Sequence, residues 1–380
     1  MIKRILMILI GFILLAFFIF HMIEVRNKKD VITSDHTSTS DNETEITDSK
    51  PIIPTGPFGK YEYDGKQCLT IDEIIERGDC FQEVFEKHLV WYLNEEKVEF
   101  YFPFQREQSH WHDVFYVEID EDDQLSELQE TDYFHKYDDP YPHNNSNHDR
   151  GKKIVDEYWH IFSNLIPKEY REHLKYIYWT DTGDDLVLAV GVKEDEVEAM
   201  TLLFSHQLLS YKPYLRYSFL HEYGHIFTLN ETQTKINEEL FLEEEPSEEQ
   251  LKQDKESCKT YYHNGRCSYE DSYLFQYFQR FWADIYEQYQ KIDWDNQKEY
   301  EEFFFTHEER FFNSYQGTSP PEDIADTFAF FVHSHSSIGA QPEMKYQKIK
   351  FFYEYEELVE LRTTILENLY HLSIEDEEFY

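Results

Sequence analysis

His221-Glu222-Tyr223-Gly224-His225 is the stretch from which the rest of this chain is read. On a helix, residues four apart lie one above the other, so both imidazoles project from the same face. Two neutral imidazole nitrogens at about 2 Å from a zinc ion make half of a tetrahedral site. Glu222 stands beside them, placed to take a proton from a metal-bound water. Gly224 costs on the order of 1 kcal/mol against Ala inside a helix, which suits a place where another group comes close to the backbone. With 18 histidines in 380 residues the bare pattern also arises by chance, so its meaning depends on a third ligand.

Extending the motif locally, as HExxHxxGxxH, does not supply one. Thr228 stands at the Gly position and Glu231 at the final His. A better source lies downstream, at Ser319-Pro320-Pro321-Glu322-Asp323-Ile324-Ala325-Asp326-Thr327-Phe328. Two prolines at a helix start and the apolar positions Ile324, Phe328 and Phe331 place Glu322 in the first turn. Glu322 and Asp326 then share a face. Glu322 can bind the metal while Asp326 accepts the outer N–H of a ligating His and fixes its tautomer. Ser319 and Glu322 equally fit a capping box, in which Glu322 ties down its own helix end. His333 and His335 read as a polar helix exit, and Gly317-Thr318 lacks the Asp that a GTxD ligand motif needs, since Pro320 stands there.

Taken together, these residues resemble the gluzincin metallopeptidases, in particular their lethal-factor-like branch. That branch pairs HExxH with a distant helix of pattern E-x-x-A-[DE]-x-F and has a Tyr seven residues before the Glu. Here the matching residues are Glu322, Ala325, Asp326, Phe328 and Tyr315. The resemblance implies His221, His225 and Glu322 as zinc ligands and Glu222 as general base. It also implies Asp326 as the carboxylate supporting a ligand and Tyr315 as a hydroxyl that stabilises the oxyanion. It covers about Tyr214 to Val332, and Asp326 stands where the branch more often has Glu. The expected fold is α+β and zincin-like: a twisted sheet on an active-site helix, with a mostly helical C-terminal lobe. The expected activity is zinc-dependent hydrolysis of a peptide or protein substrate, with Met200 to Phe204 as an edge strand pairing with extended substrate. The alternatives are a zinc hydrolase of a non-peptide substrate and a non-catalytic surface binding protein.

Composition bounds the setting. The net charge of −42 repels phosphate backbones, so nucleic acid is not an expected partner. The acidic runs Asp120 to Asp123 and Glu243 to Glu245 lack the Gly and alternating ligands of a calcium loop and read as solvated faces. Lys3 and Arg4 precede an apolar run from Ile5 to Ile23, interrupted only by His21 and near the length that crosses a bilayer. With no small-x-small site after it, residues 1–27 read as a signal anchor, the bulk of the chain lying outside the cell; secretion after signal cleavage is the alternative. A polar, acidic linker follows over 28–57, then an N-terminal α+β region over 58–150 and the metallopeptidase-like domain over 151–380. Four cysteines fall as two local pairs, Cys68 with Cys80 and Cys258 with Cys267, and an exported chain would bridge them, though three connectivities are open.

Among secondary elements, the apolar patterns predict helices over Phe81–Leu93, Ile154–Leu165, Tyr214–Phe227, Tyr273–Tyr289, Tyr300–Phe312 and Tyr346–Leu369. Strands are expected at Val98–Phe104, Val114–Val117, Tyr176–Trp179, Leu186–Val192 and Met200–Phe204. Asp138 to Arg150 reads as a loop, and Glu231 to Cys267 as a long acidic excursion.

Overall fold

Phe115, Val117 and Ile119 are buried, whereas Tyr116 is half-buried and Glu118 exposed. This is the period-two pattern of a strand with one face on a core. The computed structural model describes residues 65–89, 112–131, 145–181, 188–193, 196–205, 212–243 and 246–375. The apolar run from Ile5 to Ile23, the linker and the expected strand at Val98–Phe104 lie outside them. Among the described residues no helix is long and apolar enough to cross a membrane.

In chain order, α1 (Ile74–Leu89), β1 (His112–Glu118), β2 (Gln129–Glu130) and α2 (Asn145–Leu165) come first. They are followed by β3 (Leu174–Asp181), β4 (Leu188–Lys193), β5 (Glu196–Phe204) and α3 (Lys212–Leu229). The acidic excursion folds as β6 (Thr234–Ile236), α4 (Glu238–Leu242), α5 (Glu248–Ser257), β7 (Tyr262–His263) and β8 (Arg266–Ser268). The rest is helical: α6 (Tyr273–Phe281), α7 (Tyr286–Tyr289), α8 (Gln297–Thr306), α9 (Pro320–His333), α10 (Met344–Phe352) and α11 (Glu356–Glu375). The class is α+β, with a five-stranded sheet in the order β2-β1-β3-β5-β4.

One expectation about the sheet is overturned. Met200 to Phe204 is not an edge: β5 is flanked by β3 in parallel and by β4 in antiparallel pairing. Val197, Ala199, Met200, Leu202 and Phe204 are all buried, the near-continuous apolar run of a strand covered on both faces. Among the described strands the edge on that side is β4, whose half-buried Gly191 and Lys193 suit a rim position.

α2 buries Gly151, Val155, Tyr158, Phe162 and Leu165, a stripe at alternating spacings of four and three. Tyr158 stacks on Phe204 of β5 with ring centroids 3.7 Å apart and meets Phe219 of α3 edge-on at 5.9 Å. α2 thus joins the sheet to α3. The helix starts at Asn145, not Ile154, so the end of the expected loop is helical. Its opening turns are polar and carry no apolar period. Gly151 lets that part lie close to the sheet, since a Cβ there would come within 3.1–3.2 Å of Trp179, Leu128 and Phe115.

Two long helices expected from their apolar stripes are each broken in two. After α6 the chain turns at Trp282, whose indole N–H donates to Asp323 at 2.7 Å. Between α10 and α11, three successive bonds from Tyr353, Glu354 and Tyr355 back to the third preceding carbonyl turn the chain. The stripe Leu358, Leu361, Ile365 and Leu369 is buried on α11 as expected, each side chain contributing about 1.5–3 kcal/mol. α8 stops at Thr306, short of the expected Phe312.

Both cysteine pairs form disulfides, Cys68–Cys80 and Cys258–Cys267. The acidic run near Asp120 is a hydrogen-bonded turn. Asp120 Oδ1 accepts the N–H groups of Asp122 and Gln124 at 2.9 and 2.8 Å, and Asp123 pairs with the buried Arg171.

Candidate metal centre

α3 is buried along its whole length from Leu215 to Thr228, so each polar group on it needs a partner. The partner is α9. Descending α3 in steps of four while ascending α9 in steps of four gives three rungs. His225 meets Glu322, His221 meets Asp326, and the Tyr217 ring packs against Phe330 with centroids 5.9 Å apart. The two helices therefore run antiparallel with matched faces. Gly224 sits at their crossing: a Cβ there would lie 2.6 Å from Ala325 Cα and 3.0 Å from its Cβ. Ala325 is the group whose close approach the glycine permits.

Ser319 caps α9 by accepting the Glu322 N–H at 3.3 Å, with Pro320 and Pro321 in the first turn. The reciprocal half of a capping box is not formed. Glu322 Oε2 instead lies 3.2 Å from His221 Nε2 and 3.2 Å from His225 Nε2. Those two nitrogens are themselves 3.2 Å apart. Three donors thus form a triangle with edges of 3.2 Å. A tetrahedron built on Zn–N and Zn–O bonds of about 2.0–2.1 Å has edges of about 3.3 Å. Two imidazoles and a carboxylate at that spacing fit a zinc ion with one vertex left over for water or substrate.

The surroundings favour a cation. Burial disfavours protonation of His221, yet hydrogen bonding to Asp326 and Glu322 and the charge of Glu222 outweigh it and raise this imidazole to about 10. Burial likewise works against the Glu322 carboxylate, but His225 and His221 hold it well below the usual carboxylate range. Three carboxylates converge on two imidazoles, and a divalent ion there would take the place of protons. Glu222 is pushed up to about 7 by burial, against the opposing pull of His221 and His225. The Val190 backbone on β4 adds a small opposing pull, and β4 packs against the HExxH helix, so the sheet edge runs beside it. The Tyr315 hydroxyl donates to Glu322 Oε2 at 2.6 Å, and burial with the neighbouring charge of Glu322 keeps it protonated.

No protein-family model, curated protein or solved structure matches this chain.

His221, Glu222, His225, Tyr315, Glu322 and Asp326 are all brought together. Asp326 Oδ1 lies 3.4 Å from His221 Nδ1 and accepts the Tyr217 hydroxyl, while Oδ2 accepts Asn313 Nδ2 at 2.9 Å. His333 and His335 do not converge: His333 Nδ1 lies 2.8 Å from Ala329 O on its own helix, and His335 Nδ1 accepts the Ser337 N–H. Thr318 donates to Tyr315 O at 2.7 Å and serves the loop that carries that tyrosine.

Three contributors were not found in the sequence: Tyr217, Asn313 and Val190. Tyr217 had a signal, since it precedes His221 by one helical turn. Asn313 and Val190 had none. His263 belongs to the acidic excursion, whose strands pair as β6-β8-β7. Arg266 Nη1 donates to Leu229 O at 2.8 Å, fastening this small sheet to the end of α3. Burial lowers His263 to about 4, and the charges of Glu322 and His225 also act on it.

Proposed function

We propose that this protein is a zinc-dependent metallopeptidase of the gluzincin kind, built on a zincin-like fold. The observation that carries the reading is the triangle of His221 Nε2, His225 Nε2 and Glu322 Oε2 with edges of 3.2 Å. A zinc ion held there would supply a water with a pKa near about 7 and a Lewis-acidic pole for the substrate carbonyl. Every other step belongs to side chains of this chain. Glu222 takes a proton from the attacking water and returns it to the leaving amine. The Tyr315 hydroxyl, released from Glu322, donates to the oxyanion, a contribution of about 3 kcal/mol in comparable sites. Asp326 holds His221 in one orientation and raises its basicity as a ligand.

A peptide suits the site because β4, the edge among the described strands, runs beside Glu222 and can pair with an extended main chain. We place the domain outside the cell, held by the apolar segment from Ile5 to Ile23. The two intramolecular disulfides support an oxidising compartment.

Metal analysis and peptide hydrolysis by the purified full chain test the proposal. One zinc per chain is expected. Glu222→Gln should keep the metal and lower kcat/KM by about 10²–10⁴-fold, and Glu322→Ala should lose the metal while staying folded. Absence of stoichiometric zinc, or hydrolysis unchanged in Glu222→Gln, would sink the peptidase reading.

A further inference from the structure

We propose that Tyr217 and Asn313 are positioning residues that act through Asp326, and that Asn313 couples the loop carrying Tyr315 to the ligand His221. The inference rests on the zinc reading above. Asp326 is 2% exposed, and a buried carboxylate is stable only when its oxygens are engaged. Oδ1 is shared between the Tyr217 hydroxyl and the nearby His221 Nδ1, and Oδ2 accepts from Asn313. Both oxygens are therefore fixed by groups other than the ligand they support.

The Tyr217 phenol has little freedom of its own. It is buried, lies one turn before His221 on α3, and packs edge-on against Phe330. Its O–H sets the angle at which Oδ1 faces the imidazole.

Asn313 has a second attachment. Its Oδ1 accepts the Gln316 N–H at 3.0 Å, and Gln316 Oε1 accepts the Phe312 N–H at 2.7 Å. Gln316 Nε2 also reaches Thr327 Oγ1 at 3.4 Å, and the Thr318 N–H donates to Tyr315 O at 3.0 Å. Residues 312–318 are thus a closed hydrogen-bonded loop seated on α9. Its Tyr315 points at Glu322, and its ring centroid is 5.6 Å from that of His221. Asn313 Nδ2 joins this loop to the carboxylate behind His221. Through Asp326, the position of the tyrosine hydroxyl and the orientation of the imidazole are set together.

The test is zinc affinity of the full chain, measured by competition with a chelator, together with kcat and KM for a peptide that the wild type hydrolyses. Tyr217→Phe, Asn313→Ala and Asp326→Ala are compared singly, and the first two are each combined with Asp326→Ala. If Asp326→Ala does not fold, Asp326→Asn serves the same cycle. Each single change should weaken zinc binding about 10–100-fold, as loss of a ligand's supporting partner does. Asn313→Ala should in addition lower kcat more than it changes KM. Either change made on top of the Asp326 variant should cost nothing further, which a merely structural role would not produce. Wild-type zinc affinity in both single variants, or losses that add in full to that of the Asp326 variant, would overturn the inference and leave the zinc reading standing. A wild type that takes up no zinc would remove that reading, and this one with it.

Discussion

Glu322 occupies the third position of α9, where a glutamate ordinarily folds back onto the N–H of its own cap. Ser319 keeps its half of that arrangement, but the carboxylate turns to two imidazoles and a phenol. Charge-assisted bonds in a buried site outweigh one backbone N–H. The histidines lie 97 and 101 residues away, so the local sequence held both readings open. Another buried imidazole, His333, gives a prediction at this scale. Burial lowers it to about 3, against 6.5 for an ordinary histidine. Between those values the unfolded chain binds the proton and the folded one does not. Stability contributed by this group therefore falls as pH drops below about 6.5, by at most about 1.4 kcal/mol per unit. Urea unfolding of wild type and His333→Gln between pH 7 and 5 should show a shallower slope in the variant; equal slopes would refute it.

At the scale of elements, the antiparallel crossing of α3 and α9 depends on Gly224. An added Cβ would stand 2.6 Å from a backbone atom of Ala325, which has no flexible end to yield. Gly224→Ala should cost about 1–3 kcal/mol in stability. It should also weaken zinc binding by more than about 10-fold, because a 1 Å separation of the helices spoils ligand geometry. Denaturant unfolding and chelator competition would check both effects, and a variant with wild-type affinity would show that the helices do not need this contact. Helix identity was legible at this scale because the apolar period is local. Helix ends were less so. Trp282 leaves α6 for a partner on α9, and α2 opens with polar turns that carry no period. The sheet edge was misassigned because strand order depends on pairing between β3, β4 and β5, which no single strand encodes.

Across the whole molecule, the proposed metal ligands come from two helices separated by the acidic excursion. The proposed zinc would tie them together in the folded state only, and should stabilise by mass action, about 2.7 kcal/mol at zinc one hundredfold above its Kd. Calorimetry with and without a chelator should therefore show a lower Tm on metal removal, and an unchanged Tm would argue against a zinc bridge. The excursion itself was read only as acidic. In the structure it is a small sheet with a disulfide of its own, fastened to the end of α3.

The sequence by itself determined that His221 and His225 share a helix face, that Glu222 stands beside them, and that Glu322 and Asp326 begin one face of a second helix. Those relations follow from 3.6 residues per turn and from prolines at a helix start, both local properties of the chain. Only the tertiary structure decided that Glu322 serves the histidines and not its own cap, that β4 and not β5 is the edge among the described strands, and that Tyr217 and Asn313 belong to the site. Each depends on packing between segments distant in sequence, and such packing is settled by burial and pairing across the whole fold.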